Sequence, residues 1–214
     1  MMKGEHIIKD LINRYPALAS CEDDIKKACE MIIECYRSGG KLLICGNGGS
    51  ASDALHIVGE LMKGFMKKRS VPEQFRSTLI EKYPDEGRFI ADNLQGALPA
   101  IALVESSALI TAFINDVSDA MVFAQQVYGL GKSGDVLLSI STSGNSKNVL
   151  YAVKVAKAMG LKTIGLTGRD GGKMKDFCDV SIVVPGADTP QIQEYHLPVY
   201  HAICMVVEEE FFDI

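Results

Sequence analysis

The chain has no long run of Lys or Arg, and 22 basic against 27 acidic residues leave a formal net charge of −5. That balance argues against a nucleic-acid surface as its main business, and no nucleic-acid partner is expected. The one local basic triplet, Lys67-Lys68-Arg69, reads as a solvated helix end. No uninterrupted apolar stretch is long enough to span a bilayer, and no charged-apolar-small leader occupies residues 1–20, so no membrane partner is expected and the expected location is cytoplasmic. The six cysteines, Cys21, Cys29, Cys35, Cys45, Cys178 and Cys204, lack both Cys-x-x-Cys spacing and a small-scaffold pattern. Reduced, buried thiols are the expectation. Internal repeats and low-complexity tracts are also missing.

What remains is 214 residues with 47% apolar content, enough to bury a sizeable core as one unit. Residues Asp23 to Arg37 carry a helical apolar stripe at Ile25, Ala28, Ile32 and Cys35, closed by Ser38-Gly39-Gly40. A short apolar run, Lys41 to Cys45, follows at once, and similar runs recur at Pro99 to Val104, Val136 to Ile140, Thr163 to Leu166 and Val180 to Val184. Such runs suit strands covered on both faces. Alternation with helix-length segments predicts an α/β fold: a single doubly wound, mostly parallel five-stranded sheet flanked by helices, a flavodoxin-like three-layer sandwich. Ligands of such a sheet bind beyond the carboxyl ends of the strands.

Two segments depart from the alternation. Residues 68–97 are polar and proline-punctuated, and read as an insertion with some helix of its own. The N-terminal helical segment, about 1–38, opens with apolar residues at Ile7, Ile8, Leu11 and Ile12. Its apolar side needs a partner, and another subunit is a candidate.

Two loops stand at strand ends. Ser141-Thr142-Ser143-Gly144-Asn145-Ser146 follows one apolar run and leads into a helical pattern near Asn148. It offers hydroxyls, free backbone N–H groups and the positive end of a helix dipole, which suits a phosphate ester; the alternative is a capped, tightened turn. The second loop, Cys45-Gly46-Asn47-Gly48-Gly49-Ser50-Ala51-Ser52, lets backbone approach a ligand through Gly48 and Gly49, with Ser50 or Ser52 available as a helix cap. It has no Gly-Lys-Ser/Thr ending and is a poor dinucleotide fingerprint. A plain strand-to-helix turn is its other reading.

The next helical pattern holds His56 and Glu60, four residues apart and so on one face. The pair could be a general acid and base, two metal ligands, or an exposed polar stripe. Near the C-terminus Asp188 or Thr189 caps a helix with Pro190 in its first turn. Gln193 and His201 lie eight residues apart on it, a rough angular match, with Pro198 between them to kink it. His196 reads as a partly solvated or packing residue, and His6 has no local support for a role.

Taken together, these motifs resemble the sugar isomerase (SIS) domain family, and within it the phosphoheptose isomerases that act on sedoheptulose 7-phosphate. The resemblance covers most of residues 1–214 as a single SIS domain. It rests on the Cys45 to Ser50 loop, His56-x-x-x-Glu60, Asn115-Asp116, the Ser141 to Ser146 loop, Leu166 to Met174, and Gln191-Ile192-Gln193-Glu194 with His201. The chain departs from the family pattern in the 68–97 insertion and in Pro198. The resemblance implies a homotetramer with active sites at subunit interfaces, Ser141, Thr142, Ser143 and Ser146 on the substrate phosphate, and Asn47, Ser50 and Asp116 on the sugar. It implies Glu60 as catalytic base, His201 as acid/base partner, and zinc held in some members by residues matching His56, Glu60, Gln193 and His201. Such chemistry moves a proton between C1 and C2 through an enediol or enediolate, converting the ketose to D-glycero-D-manno-heptose 7-phosphate for heptose and surface polysaccharide synthesis. Metal ligation and proton abstraction compete for Glu60. The rivals are a non-catalytic SIS regulator that binds a sugar phosphate or a replication initiator, and an isomerase of another sugar phosphate.

Overall fold

The five apolar runs become five strands in the computed structural model, which describes residues 2–212. They are β1 (Leu42–Gly46), β2 (Ala100–Ala102), β3 (Val136–Ser141), β4 (Lys162–Gly168) and β5 (Val180–Val184). Every pairing is parallel, in the order β2-β1-β3-β4-β5. Leu42 of β1 stands between Ala100 and Val136, and Ser141 at the end of β3 is level with Thr167. Alternate residues feed opposite faces, as the two-residue period requires. Leu42, Ile44, Leu138 and Ile164 join one core, and Leu43, Cys45 and Leu137 the other.

Helices α1 (Glu5–Arg14), α2 (Glu22–Arg37), α3 (Gly49–Met62) and α10 (Thr189–Phe211) cover the first face; α7 (Val122–Leu130) and α8 (Lys147–Ala158) cover the second. The others are α4 (Glu73–Lys82), α5 (Gly87–Asn93), α6 (Ser107–Asp116) and the short α9 (Met174–Phe177). Glu22, Asp23 and Asp24 open α2 and Arg37 closes it, matching the helix dipole. Gly39 follows at φ +74°, with Gly39 N donating to the Tyr36 carbonyl and Gly40 N to that of Cys35, a Schellman ending.

The chain answers the question raised by the apolar side of its first segment. Ile8 and Leu11 of α1 are fully buried, and α1 packs on α10 of the same chain, with Gly4 against Val206. Another subunit is not needed to cover that stripe. Within 68–97, α4 and α5 pair as a hairpin tied by an Arg76–Asp92 ion pair, and α4 buries none of its residues. All six cysteines are free thiols, buried except for half-buried Cys178. Among the described residues no helix is long and apolar enough to cross a membrane.

The order 2-1-3-4-5 places α3, which leaves β1, and α8, which leaves β3, on opposite faces. A crevice therefore opens between the carboxyl ends of β1 and β3. Both loops singled out in the sequence border it.

Candidate functional site at the carboxyl edge of the sheet

The glycine loop turns straight from β1 into α3. Gly48 takes φ +57°, and a Cβ on Gly49 would lie 2.3 Å from Gln193 Nε2; the bare glycine backbone lets the end of that side chain come this close. Neither serine caps the helix as the sequence suggested. Gly48 is the N-cap position with no side-chain hydrogen bond, and Ser50 is buried in the first turn. Ser50 N, Ala51 N and Ser52 N are satisfied instead by the carbonyls of Asn47 and Gly48.

Along α3, Asp53, His56 and Glu60 fall at i, i+3 and i+7 and share one face. α10 crosses that face. It begins with Asp188 Oδ1 accepting from Gln191 N, with Pro190 in the first turn, and runs continuously through Pro198. Pro198 leaves the Glu194 carbonyl without its helical donor yet keeps Gln193 and His201 on the site side. His56 Nε2 is 3.2 Å from Glu60 Oε1, and the His56 and His201 rings meet edge to face with centroids 4.9 Å apart. Lys63 Nζ donates to Glu60 Oε2 at 3.2 Å. Burial, and then the neighbouring His56, push His201 below the ordinary imidazole range despite the opposing Glu60 charge. His201 is therefore neutral near pH 7. Its Nε2 is buried without a hydrogen-bond partner.

The serine loop is rigid for a reason outside itself. Gly144 sits at φ +63°, and a Cβ there would fall 1.9 Å from the Gly171 carbonyl oxygen. Gly168 N donates to the Thr142 carbonyl, Lys173 N to Asn145 Oδ1 and Met174 N to the Gly144 carbonyl. The segment after β4 thus clamps the loop after β3. Ser141 Oγ and Ser146 Oγ lie 3.1 Å apart, and Ser146 begins α8 without a side-chain cap. First-turn N–H groups and converging hydroxyls make this a helix terminus suited to an anion.

Asn148 joins the two loops, a link sequence reading missed. Asn47 and Asn148 exchange two amide hydrogen bonds of 2.9 Å. A cavity of about 550 Å³ lies beside them, lined in part by Asn47, Gly48, Ser146, Lys147 and Asn148. Asp116, by contrast, stands at the exposed end of α6, bonded to Asn115 Nδ2, and does not line this cavity. His196 is fully buried, its Nε2 donating to the Thr167 carbonyl at 3.2 Å, so it packs. Among the described residues no three or more His, Cys, Asp or Glu surround a common point as metal ligands.

Arg69 corrects the expectation of a solvated basic end. It is buried, donating through Nε to Glu208 Oε1 at 2.8 Å and through Nη1 and Nη2 to the carbonyls of Leu61 and Glu60. Glu208 also accepts from Phe65 N and Met66 N. This pair ties the end of α3, and with it Glu60, to α10. Lys67 is mostly covered too, bonded to the Phe212 carbonyl and paired with Glu209, whereas Lys68 is exposed. A partner 139 residues away leaves no local sequence signal.

A doubly wound parallel sheet with a serine loop, a glycine loop and a His/Glu helix at its switch point is the arrangement of a SIS domain. The SIS domain family model matches residues 8–79 and 89–168, and the chain belongs to that family. Phosphoheptose isomerase of a Nitratiruptor species is 41% identical over 97% of this chain and 99% of its own length. One from Helicobacter pylori is 42% identical over 91% and 88%. Two solved structures agree: phosphoheptose isomerase from Neisseria gonorrhoeae has a TM-score of 0.73 at 35% identity over 94% of each chain. The Francisella tularensis one reaches 0.74 at 31% over 93% of each. Within the SIS family, the chain belongs with the phosphoheptose isomerases.

Proposed function

We propose that this protein isomerises sedoheptulose 7-phosphate to D-glycero-D-manno-heptose 7-phosphate, supplying heptose for surface polysaccharides. The observation that carries the reading is the meeting of Glu60 on α3 with His201 on α10, through His56, beside the glycine loop. Ser141, Thr142, Ser143 and Ser146 hold the phosphate at the start of α8, with Asn47 and Ser50 toward the sugar. Asp116 lies on an exposed helix end, and a contact with sugar from there would be made across a subunit boundary. A homotetramer with active sites at its interfaces, in the cytoplasm, is the assembly this proposal expects.

Glu60 takes the proton from the sugar carbon, and the electron pair left behind forms the enediolate. His201, neutral near pH 7, serves the adjacent oxygens as hydrogen-bond donor and proton carrier, a task suited to an imidazole of lowered pKa. Zinc belongs to the proposal as an ion held by His56, Glu60, Gln193 and His201. The donor types suit it, and His201 Nε2 is a buried nitrogen with no other partner. The side chains would have to turn to converge on it, since no three His, Cys, Asp or Glu among the described residues now do. When bound, zinc would polarise the sugar carbonyl as a Lewis acid.

Incubation with a panel of sugar phosphates, with and without zinc, and analysis of the products by NMR tests the reading. Ketose-to-aldose conversion of the heptose phosphate is expected, with near loss in His201→Ala. Binding of every sugar with turnover of none would favour the non-catalytic regulator, and turnover of a pentose or hexose phosphate alone would change the substrate. Metal analysis and sedimentation of the purified protein read out zinc and the tetramer.

A further inference from the structure

The amide pair that joins the two loops is locked by the backbone. Asn148 Oδ1 accepts from Asn47 Nδ2 at 2.9 Å and from the N–H of Val149, the third residue of α8, at 3.0 Å. That N–H is one of the first-turn donors that no helical carbonyl meets. Turning the Asn148 amide over would set Nδ2 against it, donor to donor, so the amide of Asn148 has one arrangement. Asn47 inherits its own: Nδ2 lies against Asn148 Oδ1, and Oδ1 against Asn148 Nδ2.

What the pair leaves unused defines what it can hold. A primary amide has two N–H donors and a carbonyl oxygen with two lone pairs. Asn148 Oδ1 has both lone pairs occupied, whereas Asn47 Oδ1 keeps one free and each Nδ2 keeps one hydrogen. In a reciprocally bonded pair each oxygen sits beside the nitrogen of the other amide. Asn47 Oδ1 and Asn148 Nδ2, 2.9 Å apart, therefore set a free acceptor next to a free donor on the edge away from Val149. A hydroxyl, which both donates and accepts, answers that couple. Both asparagines line the cavity of about 550 Å³ together with Ser146.

We propose that Asn148 is a specificity-determining residue: with Asn47 it forms a subsite for one sugar hydroxyl, and it fixes the Asn47 amide in the orientation that reads that hydroxyl. Asn148 follows Ser146 by two residues at the start of α8, so the hydroxyl belongs to the phosphate half of the substrate, away from the carbons where Glu60 acts. The subsite adds what a phosphate anchor lacks, a check on the sugar itself. A ligand with hydrogen in place of that hydroxyl leaves a donor and an acceptor unpaired. The subsite rests on the sugar-phosphate reading of the site; the amide lock does not.

Calorimetric titration of sedoheptulose 7-phosphate, and separately of inorganic phosphate, into wild type, Asn47→Ala, Asn148→Ala and the double variant tests the subsite. Each single variant should bind the sugar phosphate about 5–10-fold more weakly, and the double variant no more weakly than the worse single, because the two residues act as one unit. Inorganic phosphate should bind every form alike. Asn148→Ser, whose hydroxyl can still accept from Val149 N but cannot pair reciprocally with an amide, should behave as Asn148→Ala does. In the free protein, 15N-resolved NMR should show one Nδ2 hydrogen of Asn47 exchanging with water more slowly than the other, a difference that Asn148→Ala erases. Sugar affinity unchanged in both single variants, an equal loss for inorganic phosphate, or wild-type affinity in Asn148→Ser overturns the subsite. An Asn47 amide that exchanges alike in wild type and Asn148→Ala overturns the lock. A wild type that binds phosphate but no sugar phosphate would refute the proposed function and the subsite together, with the lock still decided by its exchange.

Discussion

Replacing Arg69 with Met keeps most of the side-chain length and removes every donor. In the native chain the guanidinium bonds to Glu208 at 2.8 Å, to the Leu61 carbonyl at 2.6 Å and to the Glu60 carbonyl at 3.0 Å, and lies 4.7 Å from the Phe212 ring centroid. The two charged side chains are 0% and 1% exposed. After the substitution Glu208 keeps only the N–H groups of Phe65 and Met66. Stranding one member of a buried ion pair costs about 3–5 kcal/mol, a large part of the roughly 5–15 kcal/mol that holds a typical domain together. The pH dependence adds a signature. Burial alone would raise the Glu208 pKa, but the bonds from Phe65, Met66 and Arg69 outweigh it and hold it below the ordinary range. Its native contribution is thus present above the unfolded pKa and lost as pH falls. Without Arg69 the buried carboxylate becomes easier to protonate, so the variant's deficit should shrink as pH falls. Urea denaturation at two pH values reads both effects, followed by circular dichroism because the chain has no Trp. Arg69→Met with Glu208→Leu should recover much of the loss. A single variant within about 1 kcal/mol of wild type would refute the buried pair, as would a double variant less stable than the single.

Other outcomes follow from the same geometry. His196 is buried and neutral, its pKa pushed down to about 4 by desolvation against the bond to the Thr167 carbonyl. The unfolded chain binds that proton more readily, so stability should fall as pH drops from about 6.5 to about 4, by about 3 kcal/mol in total, and a variant lacking this histidine should show a flatter slope in a pH series of unfolding curves. Gly144→Ala drives a Cβ into the Gly171 carbonyl at positive φ, and should cost more than about 1 kcal/mol in a thermal melt and raise KM for any phosphorylated substrate. Gly49→Ala meets only the mobile end of Gln193, so steady-state assays should lose activity while the unfolding midpoint barely moves.

The sheet was legible because parallel strands buried on both faces must be apolar without interruption. The five runs from Lys41 to Val184 mark its five strands, and β2, paired on one side only, is the run that shrinks most. His56 and Glu60, and the capped start of α10, were legible because they are local patterns. Asn148 carried a weak signal, two residues beyond Ser146. Arg69 and Tyr200, whose hydroxyl lies 2.9 Å from His56 Nδ1, carried none: one looks solvated and the other apolar until α10 is folded against α3, and both depend on partners more than 130 residues away. The clamp of the serine loop by residues 168–174 was hidden likewise, since the reason for Gly144 is the Gly171 carbonyl.

The most direct test follows deuterium from heavy water into C1 and C2 of sedoheptulose 7-phosphate with the wild-type protein and with Glu60→Gln. The wild type is expected to incorporate deuterium as ketose and aldose interconvert, and the variant to bind the sugar with almost no exchange. Exchange by Glu60→Gln at the wild-type rate, or sugar binding without exchange in the wild type, would contradict a proton transfer centred on Glu60.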